Sequence, residues 1–296
     1  MSDLLSSNVS LKPDVPTTAA GRPRQAPGLV SAAVRVFELS LGEMLWSRRT
    51  IFMGLVVGLP VLLALVVRLF DLVGATGVRV NNTAIDGPAV FGLIIWAFFL
   101  KFSIPVLGVF YGTSLIADEV EDKTITYLFS RPISREAVLF GKYLAYVGCT
   151  MLVVLPSIML VWLLVIPMGG SFGANFIDLV KDLAIVGIGL AAYGALFAFI
   201  GAYFKRPLLI GLVFIFGWEQ VVLMIPSNLQ LFSVAYYLQG LVPHAMPNDS
   251  TASMVQALFR QTPSLAASLV ALALITVAFL YFAAFIVARR EYVLEQ

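Results

Sequence analysis

The chain has 296 residues, 60% of them hydrophobic and only 12% charged, with a formal net charge of +2. A soluble domain carries about 25% charged residues, so this composition, at a mean hydropathy of +0.94, excludes an ordinary soluble protein and marks an integral membrane protein. The near-neutral charge excludes a nucleic-acid partner. One Cys and one His leave no intramolecular disulfide and no zinc, Cys-His or Ser-His-Asp constellation.

Residues 1–28 are polar and Pro-rich without an apolar h-region, which reads as a disordered cytoplasmic arm rather than a signal peptide. In 29–50, apolar Val30, Ala33, Val34, Val36, Phe37, Leu41, Met44, Leu45 and Trp46 are interrupted by Arg35, Glu38, Glu43 and Arg48. This pattern predicts an amphipathic helix lying in the membrane interface. Trp46 and Arg48-Arg49 would anchor its turn into the first span.

Six stretches long enough to cross a bilayer as helices follow, at 51–70, 90–117, 143–167, 183–204, 207–226 and 265–288. They predict an all-α domain over 51–290 and a short tail, 291–296. The second stretch is longer than a crossing requires, and Pro105 predicts a kink or strong tilt in it; Pro156 has the same part in the third. In the fourth, Gly187, Ala191, Gly194 and Ala198 recur every three or four residues, which permits close helix approach. Packing within the chain is the preferred reading, a dimer seam the second. Cys149, inside an apolar run, reads as a small packing residue.

Of the 19 Lys and Arg, only Arg68, Arg79, Lys101, Lys181 and Arg260 fall outside the cytoplasmic segments when both termini are placed inside. That asymmetry sets the orientation. The outer segments are then 71–89, 168–182 and a long 227–264. The last contains Tyr236, Tyr237 and Leu238, and a stretch at 253–260 able to form a short helix capped by Ser253.

Two ionisable residues lie deep in the spans. Lys101 sits near the midplane of the second, where a lysine costs about 2.5–3.5 kcal/mol on insertion scales. Glu219, beside Trp218 and Gln220 in the fifth, sits at comparable depth and is the expected partner. Lys101, Glu219 and Gln220 are therefore candidates for a translocation or gating path, with a structural ion pair between helices as the alternative. His244, Met246 and Met254 are too scattered for a metal site.

The most distinctive segment is 116–142, IADEVEDKTITYLFSRPISREAVLFGK. Its acidic run cannot stay in lipid, so the second helix must continue past Ala117 into the cytoplasm. Ile125, Leu128 and Phe129 then share a face, Pro132 breaks the helix, and Ser134 caps the next one with Glu136 against its dipole. Arg135 is a cation in a first turn, where it is unfavourable. It, or else Arg131, is expected to pair with Glu119 or Asp122. Gly141-Lys142 lacks the remainder of a phosphate-binding loop, so no nucleotide site is expected in this chain.

Glu119, Lys123, Thr124, Leu128, Pro132, Arg135, Gly141 and Lys142 closely resemble the pattern that follows the second membrane helix in ABC-2 type transporter permeases. That pattern runs E-x-x-x-[GK]-T-x-x-x-L-x-x-x-P-x-x-R and ends in Gly-Lys; many members have Gly where Lys123 stands. The resemblance implies a six-helix transmembrane domain with an N-terminal elbow helix. It also implies a cytoplasmic coupling helix, between helices 2 and 3, that docks on a separate P-loop ATP-binding subunit through Thr124, Tyr127, Leu128 and Phe129. ATP and magnesium would be held by that partner, with none in this chain. A second permease copy, as in a homodimer, export as the usual direction, and a prokaryotic inner membrane with both termini cytoplasmic are implied too. By pattern the chain is similar to small permeases associated with multi-copper enzyme maturation. A secondary transporter, or a membrane-embedded sensor or scaffold, would share the topology.

Overall fold

A computed structural model of the chain describes residues 29–74, 79–80, 83–84, 86–121, 135–224, 228–242 and 263–289. The first helix, α1 (Leu29–Leu45), is followed at once by α2 (Arg48–Leu72). A two-residue hairpin pairs β1 (Arg79–Val80) antiparallel with β2 (Thr83–Ala84), Arg79 opposite Ala84. Next come α3, apolar over Gly87–Ala117, α4 (Arg135–Val165) and α5 (Phe172–Tyr203). A shorter apolar helix, α6 (Pro207–Val222), leads through a 3-10 turn at Asn228–Phe232 to the brief α7 (Val234–Gln239). The last described helix is α8 (Leu265–Arg289).

Among the described residues five helices, α2, α3, α4, α5 and α8, are long and apolar enough to cross a membrane. The expected stretches 51–70, 90–117 and 265–288 coincide with α2, α3 and α8 to within three residues at each end. The third and fourth begin earlier than expected. Ala137, Val138 and Leu139 are buried, which carries the helix of α4 back to Arg135. The expected loop 168–182 is largely helix, because α5 starts at Phe172. Its polar first turns are held by Lys181 Nζ donating to Asp178 Oδ1 at 2.9 Å, an i,i+3 pair.

α3 is not uniform. Gly87–Ile94 is α-helical, Ile95–Ser103 is π-helical, Ile104–Leu107 returns to α, Gly108–Gly112 is π again, and Ser114–Glu121 carries the helix past Ala117. Pro105 explains the first change, because a proline ring clashes with the carbonyl four residues back in a regular α-helix. Widening the turn before it relieves the clash, so the predicted kink takes the form of flanking π segments.

α3 and α5 are the two most buried spans, and α8 and α2 the least. In lipid, burial within the bundle gains little hydrophobic free energy, so close packing must hold the helices together. Small residues make it. A Cβ at Gly112 would stand 2.8 Å from Phe197 Cβ, and one at Gly108 would stand 2.9 Å from Phe197 Cδ2. Gly194 faces the ring of Tyr146 on α4, whose hydroxyl donates to the Leu190 carbonyl at 3.1 Å; the Tyr143 hydroxyl donates to Ala191. Gly187 meets Met151 of α4. Gly187, Ala191 and Gly194 of the small-residue stripe therefore serve contact with α4 within the chain. A second cluster, Ile116, Leu139, Ala202, Ala283, Ala284 and Val287, gathers the ends of α3, α4, α5 and α8.

α1 packs along the first half of α4. Ala32 and Ala33 are buried with Ala137, whereas Val30, Leu39 and Trp46 are exposed.

Candidate functional site: a polar cleft inside the bundle

Lys101, Glu219 and Gln220 line one cleft, together with Leu100, Pro105, Tyr193, Ile215 and Ala235. The cleft is nearly closed, with about 10 Å³ of free space, about the minimum for a single water. Local backbone geometry puts the polar residues there. Lys101 belongs to the first π segment of α3, and Glu219 ends the π segment Phe214–Glu219 of α6. A π turn rotates side chains off the ordinary helical stripe, and such turns recur at functional positions.

Lys101 directs its ammonium over the indole of Trp96, with Nζ 4.1 Å from the ring centroid. The ring face provides partial compensation for a cation away from water.

Glu219 is only 2% exposed, and its carboxylate is bound from several directions. Ser233 Oγ donates to Oε2 at 2.7 Å and the Val234 N–H donates to Oε1 at 3.2 Å. The Ala235 N–H and the Tyr193 hydroxyl donate to it as well. Three of these donors come from the start of α7, where Ser233 also caps the helix by accepting from the Tyr236 N–H at 3.3 Å. The carboxylate thus takes up backbone donors that a helix start leaves unpaired.

α7 packs into the bundle. Leu238, 1% exposed, rests beside Gly189 midway along α5, against which Ile104 of α3 also packs. Gly240 closes on Pro263 and Ser268 at the start of α8. Leu238, in the segment 227–264 expected to be outer structure with Tyr236 and Tyr237, is thus packed against α5.

Ser233, Trp96 and Tyr193 were not picked out by sequence reasoning. Ser233, directly ahead of the apolar run Val234–Leu238, carries a helix-start signal. Nothing in the sequence marks Tyr193, which is one aromatic among many in α5.

The segment expected to form the coupling helix is framed on both sides. Glu119 falls in the helical segment Ser114–Glu121, and Arg135 opens α4, with Glu136 in its first turn. Thr124, Tyr127, Leu128, Phe129 and Pro132 lie outside the described residues, as do the side chain of Glu119 and the stretch 253–260 with His244. Gly141 has a defined role. A Cβ there would stand 2.6 Å from the Ala33 carbonyl oxygen and 2.7 Å from Val36 Cβ, so this glycine lets α1 dock on α4. Among the described residues no group of three or more His, Cys, Asp or Glu could hold a metal ion.

The described residues form a multi-span, all-α membrane protein with a polar cleft inside the bundle. Residues 34–291 match the family described as ABC-2 family transporter protein, and the chain belongs to that family. Its members are non-catalytic transmembrane subunits that typically pair with a nucleotide-binding subunit. The match is to the family as a whole and assigns no branch associated with multi-copper enzyme maturation. No curated protein matches the chain.

Proposed function

We propose that the chain is the permease subunit of an ATP-driven exporter, working as a pair of permease copies on separate ATP-binding subunits. The supporting observation is the cleft of Lys101, Glu219 and Gln220, placed between the two most buried spans and α6. Charged and amide side chains inside a bundle are costly and mark pathways by default. In the nearly closed state they would line a path that opens when the motor moves.

The motor would act on the segment between Glu121 and Arg135, with α6 serving as the fifth of six spans and α1 as the elbow helix. Arg135, Lys142, Lys205, Arg206 and Arg289 would face the cytoplasm of a prokaryotic cell, together with both termini. The packed cluster of Ile116, Leu139, Ala202 and Val287 ties the helix ends on that side, so a push on the segment would reach α3, α4, α5 and α8 together. Thr124, Tyr127, Leu128 and Phe129 would make the docking face, with Pro132 as the break and Glu119 and Arg135 as its brace.

A secondary transporter would need a carboxylate open to a coupling ion. Glu219 is instead engaged by Ser233, Val234, Ala235 and Tyr193, which favours the ATP-driven reading. The test is co-purification with a separate P-loop ATP-binding subunit. The Tyr127→Ala/Leu128→Ala variant should fold normally and lose the ATPase; full retention would overturn the docking assignment.

A further inference from the structure

We infer that Glu219 is a positioning residue, the latch that holds the helix α7 as a plug across the far side of the polar cleft. Ala235 of α7 forms part of the cleft wall, and the residues on either side of it are deeply packed, Ser233 at 0% and Leu238 at 1% exposure. Those apolar contacts alone would leave the first backbone N–H groups of α7 unpaired inside the bundle, a costly arrangement. Glu219 supplies their acceptor. It does so from the last residue of a π segment in α6, so a shift of α6 that returns this turn to α-helix would rotate the carboxylate away from α7. Ser233 would register the same movement, because its hydroxyl both donates to Glu219 and caps α7.

The latch explains why so buried a carboxylate is placed beside Lys101. A cation on α3 and a carboxyl group bound to α7 line one cleft, so release of the plug strips that carboxyl group of its α7 donors beside the lysine. Opening of the cleft and exposure of its acidic group are thereby one event. The consequence for transport rests on the permease reading; the latch itself does not.

The test is run on the full chain alone in lipid nanodiscs, where both membrane faces are open to reagent and no ATPase is needed. In a Cys149→Ala background, Ala235→Cys is labelled with a water-soluble maleimide. With Glu219 intact, labelling is slow. Glu219→Gln, Ser233→Ala and Tyr193→Phe each remove part of the latch, and the labelling rate is expected to rise about tenfold for Glu219→Gln and less for the other two. The native Cys149, buried on α4, labelled in the same latch variants without Ala235→Cys, reports global loosening and should stay slow to label throughout. An unchanged Ala235→Cys rate in the variants that fold overturns the latch. So does a parallel rise at Cys149, which means general loosening. If Glu219→Gln does not fold, Ser233→Ala and Tyr193→Phe decide. Failure to co-purify with an ATPase would count against the permease reading and leave these rates untouched.

Discussion

Gly141 on α4 lies against Ala33 of α1 so closely that a Cβ would stand 2.6 Å from the Ala33 carbonyl oxygen. The oxygen belongs to backbone and cannot swing aside, and Val36 closes the space from the next turn. Gly141→Val is therefore expected to detach or displace α1. Overpacking of this kind costs about 1–3 kcal/mol, read as a lower unfolding midpoint in detergent. Gly148 is the control, since a Cβ there would meet the Phe37 ring at 3.5 Å and Leu41 Cδ1 at 3.8 Å, both ordinary contacts. Gly148→Ala should leave the midpoint nearly unchanged.

The α4–α5 seam has the same logic with different neighbours. Gly194 faces the Tyr146 ring, which is fixed by its hydrogen bond to Leu190. Gly187 faces the terminal methyl carbon Cε of Met151, 3.1 Å from its Cβ position, and a methionine end moves easily. Gly194→Ala should lower the unfolding midpoint markedly, whereas Gly187→Ala should cost little. Equal losses at the two positions would mean that the stripe is not packed as described.

Much of the bundle was legible because apolar length is decisive in a membrane: α2, α3 and α8 need only a run of about 20 residues. The start of α5 was not, since Asp178, Lys181 and Asp182 read as loop until the helix is seen to pair Lys181 with Asp178. Lys101, Glu219 and Gln220 were found by their cost at depth, and they do share a cleft. The donors around Glu219 were hidden, because they are mainly the backbone and cap of a helix placed by tertiary folding. The π segments were equally hidden; Pro105 signalled a disturbance but not its form.

Lys101→Met tests whether the cleft is a path or only a structural contact. A lysine near mid-depth of a span would cost about 2.5–3.5 kcal/mol to insert; the substitution removes that cost and gives up, among the contacts of Lys101, a cation–π interaction of about 0.5–2 kcal/mol with Trp96. The variant is expected to keep a thermal unfolding midpoint close to the parent's. Transport, measured as substrate-stimulated hydrolysis by the assembled complex, should fall sharply. A variant with undiminished transport would remove Lys101 from the path.

Exchanging the two charges, Lys101→Glu with Glu219→Lys, separates a simple interhelical ion pair from the arrangement seen. A simple pair tolerates exchange, because each charge still meets its opposite. Here a lysine at 219 would bring donors to the Val234 and Ala235 N–H groups, which are donors themselves, and only the Ser233 and Tyr193 hydroxyls could reorient to accept. Glu219→Lys alone should thus destabilise by several kcal/mol, in the range for a buried charge left without its partner. Adding Lys101→Glu should recover little of it. Glu219→Gln keeps one acceptor oxygen and should fall between parent and Glu219→Lys. A double-mutant cycle on unfolding midpoints measures the coupling directly. Near-complete recovery in the exchanged protein would show that Glu219 answers chiefly to Lys101, and that its hydrogen bonds to α7 are secondary.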